Sequence, residues 1–315
     1  MESKLVQEPN KIRGISYEHK SSQSFKSLMV KLALKFANIK SGKNIKKRLT
    51  TGEPHPKDTP EPPKDLKKDL KITSWEVNGR NIYRLEPKAN VSKKLILYLH
   101  GGAYINNTTH YHWEFVQKLI STMNCTVVLP DFPLAPNNTY LDTYEVIELV
   151  YKKIISEVNP NDITFMGDSS GGGLALGFAQ KLKHDGISQP DHIILLTPWL
   201  DITLTNPEID AIEDDDPFSG AEPLRMAGKA YAGDADPTHY MLSPINGEIE
   251  GLGKLSIFVG THDILSADAK KLKNRCDEVG IPINYFVYPK MLHVFMILNL
   301  SESDIVINQI KDLIQ

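Results

Sequence analysis

Cysteine is scarce in this chain of 315 residues. The two present, Cys125 and Cys276, match no metal or redox spacing. Cys125 falls in a predicted strand and Cys276 on a predicted helix, so both are expected as core or surface thiols rather than as a disulfide, which fits a reducing compartment. Long apolar runs are missing as well. No stretch reaches the roughly 18 residues that a bilayer-spanning helix needs. Residues 1–20, with Glu2, Glu8, Pro9 and Glu18, do not read as a secretory leader, so the expected location is the cytoplasm. Strong positive charge is lacking too, and a net charge of −3 gives no case for nucleic acid as a partner. The chain has no H-E-x-x-H or comparable ligand set to suggest a metal-dependent hydrolase. It also has no internal repeat and no long low-complexity tract.

What is present is ordinary globular composition, 41% hydrophobic and 24% charged, in a length that holds one large domain with insertions or two small ones. The charge is uneven. Residues 1–71 carry 17 Lys+Arg against 8 Asp+Glu, a net of +9, and the remainder carries −12. Within the basic part, residues 1–22 read as a polar lead-in or a loose strand. Phe25–Lys40 reads as a helix with Phe25, Leu28, Met29, Leu32, Phe36 and Ile39 on one stripe, flanked by Lys26, Lys31, Lys35 and Lys40. Val30 and Leu34 interrupt its polar face, which favours packing as a cap or core helix. Weak contact with a membrane surface is the alternative. Five prolines between Pro54 and Pro63 then make a stiff linker.

Beyond the linker the period changes. Lys71–Val77 and Asn81–Leu85 read as a hairpin about Asn78-Gly79, and Leu95–Leu99 as a central strand. Strands Cys125–Leu129, Asp162–Met166, His192–Leu196, Leu255–Val259 and Asn284–Tyr288 then alternate with helices, ending in Ser303–Ile314. This predicts an α/β fold, a mostly parallel eight-stranded sheet with helices on both faces. Residues 71–200 and 244–315 form its core. Some forty residues, 201–243, interrupt the rhythm and are expected to join residues 1–70 as a helical cap. The acidic run Glu213-Asp214-Asp215-Asp216 within them reads as a solvated loop rather than a metal site.

The stretch that organises the chain is Ile163–Leu176, an apolar strand, a sharp turn and a glycine-rich helix. In it Gly167, Ser169 and Gly171 satisfy G-x-S-x-G, the turn that lifts a serine hydroxyl clear of a sheet. A serine needs a base, and the base a carboxylate to hold its tautomer. Asp263 and His293 each follow a later strand of the parallel series, so the order Ser169, Asp263, His293 puts all three on one sheet edge. Asp268 is the rival acid, a turn into its helix. His262 would point away from Asp263, and His110 and His112 read as surface or cap histidines rather than ligands. Ser170 and the segment His100-Gly101-Gly102-Ala103-Tyr104 offer backbone N–H groups for an oxyanion.

These segments, with Asp131–Pro136, Pro198-Trp199-Leu200-Asp201, Ser243-Pro244 and Gly260-Thr261-His262-Asp263, resemble the hormone-sensitive-lipase-like group of α/β-hydrolases in family order over roughly residues 72–315. The resemblance implies a serine carboxylesterase for short- to medium-chain esters. Ser169 would be nucleophile, His293 base and Asp263 its orienting acid; Gly102, Ala103 and Ser170 would donate to the oxyanion, with Gly101 shaping the turn. It implies a small-molecule ester substrate, no metal or organic cofactor, and a monomer or a homodimer. A lipase, thioesterase or amidase on longer substrates, or a non-catalytic binding protein, are the alternatives. Two departures stand out. Ala103 replaces a third glycine, and Phe132 and Pro133 stand where the group has Tyr-Arg, with Asn137 in place of Glu.

Overall fold

Residues 14–315 are described by a computed structural model, in which the runs read above as strands lie side by side. In chain order the elements begin with β1 (Ser16–Glu18), α1 (Phe25–Ala37) and α2 (Lys43–Thr51). The hairpin β2 (Leu70–Val77) and β3 (Arg80–Pro87) leads to β4 (Leu95–Leu99), α3 (His110–Met123), β5 (Thr126–Pro130) and α4 (Tyr140–Glu157). Next come β6 (Ile163–Asp168), α5 (Ser170–His184), β7 (His192–Leu196), α6 (Glu208–Ile212) and α7 (Ala221–Ala232). The chain closes with β8 (Lys254–His262), α8 (Ser266–Val279), β9 (Ile283–Leu292) and α9 (Ser301–Ile314). The sheet order is β1-β9-β8-β7-β6-β4-β5-β3-β2, parallel except where β3 pairs with β2 and β5.

The strand β4 shows why this sequence makes a two-sided sheet. All five of its residues are buried. Successive side chains point to opposite faces, so Leu95, Leu97 and Leu99 join the core that holds α4 and α5, and Ile96 and Tyr98 join the one under α3 and α9. A strand apolar on both faces is stable only between two helical layers, and each fully buried leucine contributes about 1.5–3 kcal/mol.

Three expectations change here. The sheet has nine strands, not eight, because Ser16–Glu18 pairs in parallel with β9, Ser16 opposite Tyr285. A loose strand is one of two readings of residues 1–22, and pairing with the β9 edge is what makes Ser16–Glu18 a member of the sheet. The helix begun at Phe25 ends at Ala37, where Asn38 adopts left-handed backbone with φ 49°, and a second helix, α2, follows unforeseen. The stripe of Phe25, Leu28, Met29, Leu32 and Phe36 faces solvent. The opposite side of α1 meets the protein, through buried Ser27 and partly buried Val30 and Leu34. Periodicity reveals a stripe but not what lies against it.

The N-terminal helices are held to the insertion. Ser24 caps α1 by accepting from Ser27 N–H at 3.2 Å, and its own N–H and hydroxyl each donate to buried Glu302 at 2.8 Å. Lys40 donates to the Glu213 carbonyl at 2.7 Å, and Lys46 pairs with Glu222 of α7 at 3.6 Å. Between these contacts Gly42, with φ 66°, lies so close to Pro223 that a β-carbon would overlap the ring.

Candidate active site

Every group singled out for chemistry sits at the carboxyl end of a parallel strand. The strand β6 ends at Asp168 and α5 starts at Ser170, so Ser169 takes the whole reversal, with φ 53° and ψ −122°. That backbone strains any residue with a β-carbon. It is tolerated because the flanks are locked: Ser169 N–H donates to the Leu196 carbonyl at 2.9 Å and Trp199 N–H to the Ser169 carbonyl at 2.8 Å. Gly171 is required by contact, since a β-carbon there would overlap the Leu99 carbonyl.

Asp263 follows β8 directly and His293 follows β9. The imidazole spans the two other groups, with Nε2 2.9 Å from Ser169 Oγ and Nδ1 2.9 Å from Asp263 Oδ2. The second Asp263 oxygen accepts Leu265 N–H at 3.0 Å. With that carboxylate beside Nδ1, the Nδ1–H tautomer is the favoured one, leaving Nε2 to accept from the serine hydroxyl. Burial by itself would lower the His293 pKa, but the negative charge and hydrogen bond of Asp263, with Asp216 and Asp168 farther off, hold it above the ordinary imidazole value. Asp263 is wholly buried, His293 nearly so, and Phe218 from the insertion packs against the imidazole ring.

Facing the serine is the loop after β4. Its backbone is left-handed at Ala103 (φ 54°) and Tyr104 (φ 61°), with Gly102 at φ 128°. Among the described residues the N–H groups of Gly102 and Ala103 find no protein acceptor, and that of Ser170 lies in the first turn of α5, where N–H groups are unpaired and the helix end is positive. Gly101 N–H is already spent, donating to Asp168 Oδ1 at 3.0 Å, so Gly101 shapes the loop rather than serving an anion. The arrangement can therefore activate a hydroxyl and hold a developing negative charge beside it.

Two residues supporting this site were misjudged from sequence. His112, expected at the surface or in the cap, is buried: Thr109 N–H donates to its Nδ1 at 2.9 Å, which leaves the proton on Nε2, 3.4 Å from Asp168 Oδ2. At that separation Nε2 faces the carboxylate without hydrogen-bond geometry. Tyr98 donates to the same carboxylate at 2.6 Å. Burial would raise the Asp168 pKa, but His112 and these donors bring it below the usual range. The carboxylate thus ties α3, β4 and the loop after β4 to the turn at Ser169.

Asp216, expected in a solvated run, is buried; one oxygen accepts Phe218 N–H at 2.7 Å and Ser219 N–H at 2.9 Å, the other Ile264 N–H at 3.0 Å. It clamps the insertion to the residue after Asp263. Burial and the neighbouring Asp263 charge push its pKa up to about 6. Its two local bonds would suit an exposed turn equally well; the partner that marks it out, Ile264 N–H, lies 48 residues away.

The rivals fall away on position. Asp268 is buried in α8 and accepts from Asn206 at 2.9 Å, outside the hydrogen-bonded chain. His262 contacts Lys31. His110 is exposed and meets Glu114 at 3.0 Å. Among the described residues no three His, Cys, Asp or Glu side chains group as a metal site would need, and Cys125 and Cys276 are free and buried. The Asp131–Pro136 departure is absorbed locally: Asn107 donates to Asp131 at 2.8 Å, and Phe132 stacks on His100 with centroids 4.3 Å apart.

Comparison with known proteins agrees. A family profile described as alpha/beta hydrolase fold matches residues 96–297. An esterase of Acinetobacter venetianus is 30% identical over 217 residues, 68% of this chain and 72% of that protein. An acetyl-hydrolase of Streptomyces hygroscopicus is 27% identical over 203 residues, 64% and 68% of the two chains. A crystal structure from Staphylococcus aureus, assigned as an esterase, superposes with a TM-score of 0.79 at 30% identity, covering 86% of this chain and 90% of that one. The chain belongs to the α/β-hydrolase-fold family.

Proposed function

We propose that this protein is a serine carboxylesterase acting on short- to medium-chain esters through an acyl-enzyme. The observation that carries this reading is the unbroken chain from Ser169 Oγ through His293 to Asp263 beside two unpaired loop N–H groups. Ser169 attacks the ester carbonyl while His293 Nε2 takes its proton, and Asp263 stabilises the imidazolium. The N–H groups of Gly102, Ala103 and Ser170 hold the tetrahedral oxyanion. The imidazolium then protonates the departing alcohol, and water activated by the same histidine releases the acid. No cofactor takes part in these steps. Residues 1–70 and 201–243 act as the cap, with Phe218 against the base and Arg48 donating to the Ile105 carbonyl at 2.9 Å behind the oxyanion loop. The free thiols suit a cytoplasmic enzyme.

A small acyl group is favoured because Ser169 is only 7% exposed and Phe218 packs against the His293 ring beside it. In a nitrophenyl ester series from acetyl to dodecanoyl, kcat/KM is expected to peak at the short end. An optimum at dodecanoyl would contradict this reading and favour a lipid substrate.

The pH profile tests the electrostatics. His293 must be neutral to act as base, and its pKa lies above 6.5, so kcat/KM falls on the acid side with a midpoint above 6.5. Asp216 supplies part of that elevation, so Asp216→Asn moves the acid limb to lower pH. It also sets an amide NH2 against Ile264 N–H or against the Phe218 and Ser219 N–H groups, and at neutral pH kcat/KM drops by about tenfold as the acid loop shifts. An unmoved limb would show that the Asp216 charge does not reach the base.

A further inference from the structure

The exposed stripe of α1 is unusual for a surface helix. Phe25 and Phe36 are 77% and 89% exposed, and Leu28, Met29 and Leu32 between 42% and 50%. At about 100° per residue these five fall on one side of the helix. Ser27, Val30, Lys31 and Leu34, through which α1 meets the protein, fall on the other. Proteins that stay monomeric in water rarely leave so many large apolar side chains together without cover.

The charge around the stripe says what the cover is. From His19 to Gly52 there are nine Lys and Arg and no Asp or Glu. Lys26 borders the stripe on one side and Lys35 on the other. A second copy of the chain would set this positive field against itself, whereas an anionic lipid surface accepts both parts, apolar side chains among the acyl chains and ammonium groups at the phosphates. The insertion, residues 201–243, carries ten Asp and Glu against two Lys and Arg, so α1 and its lysines rather than the insertion would face the lipid. Among the described residues no helix is long and apolar enough to cross a membrane, so the contact is with a surface.

We propose that α1 seats this protein on anionic phospholipid. The other side of the helix borders the site: Lys31 contacts His262, next to Asp263, and Leu34 and Lys35 line a groove with Asp216 and Pro217. An ester dissolved in the bilayer would then meet the enzyme at its cap. Docking goes beyond the esterase reading and does not depend on turnover.

The test is therefore binding, measured on the inactive Ser169→Ala protein by flotation with vesicles of phosphatidylcholine alone or mixed with phosphatidylglycerol. Flotation is expected only with the mixed vesicles and is expected to weaken as salt rises. Leu28→Ser with Leu32→Ser should weaken partitioning at least about tenfold, and Lys26→Gln or Lys35→Gln by about fivefold each. Circular dichroism and Tm verify that each variant is folded; these side chains are exposed, so it should be. Absence of flotation with mixed vesicles, or equal flotation of the leucine variant, would overturn the proposal. So would a dimer in sedimentation velocity that the leucine substitutions dissolve, since that gives the stripe to a second copy. Esterase activity on a soluble nitrophenyl ester is read separately, so loss of one reading leaves the other standing.

Discussion

Ser169→Ala lowers kcat on a short nitrophenyl ester by about 10⁵-fold or more, with an unchanged Tm. The size of the loss follows from the site having one nucleophile. Removing Oγ deletes the atom proposed to form the acyl bond, and among the described residues no other hydroxyl is hydrogen-bonded to His293 Nε2. Any residual rate belongs to water held near His293 and the unpaired N–H groups of the loop. The fold should not suffer, because the turn is fixed by the Ser169 backbone and by Gly171, not by the hydroxyl. Stopped-flow or steady-state assays of the two proteins, beside their melting curves, check both halves.

Asp263→Asn is expected to lower kcat by about 10⁴-fold, although the new side chain is almost isosteric. The reason is a constraint from behind. Leu265 N–H donates to Asp263 Oδ1 at 3.0 Å, so an asparagine there turns its carbonyl oxygen toward Leu265 and its NH2 toward His293. The imidazole must then accept at Nδ1 and carry its proton on Nε2, where it donates to Ser169 instead of receiving from it. The base is present, correctly placed and in the wrong tautomer. A loss below tenfold would mean that Asp263 only fills space. A wild-type pH profile with its acid midpoint above 6.5, lost in Asp263→Asn, would tie the effect to charge.

The groups proposed to react were legible in the sequence because each is fixed by short-range chemistry. The turn at Gly167–Gly171 needs its glycines, and Asp263 and His293 follow strands recognisable by their own apolar runs. Parallel alternation then brings three distant loops to one edge, and the structure places all three within hydrogen-bond reach. What could not be read was decided by partners far along the chain. The tripeptide Ser16–Glu18 is a strand only because β9 offers an unpaired edge, which raises the count from eight to nine. Asp216 looks like one of four solvated acids until the Ile264 N–H arrives beside it. His112 carries no mark of burial in a sequence as polar as Thr108-Thr109-His110-Tyr111-His112; the Asp168 carboxylate and the floor of α3 draw it in. The α1 stripe was visible, but its direction was not, because the helix docks by small and medium side chains and leaves the large ones outside.

The central claim is that Ser169 alone carries the acyl group, and covalent labelling tests it most directly. Treatment with a nitrophenyl alkylphosphonate, followed by intact-mass measurement and peptide mapping, should give one adduct per chain, located on Ser169, in step with loss of esterase activity and absent from Ser169→Ala. Adduct formation at another residue, or full esterase activity in a protein that does not label, would contradict the account.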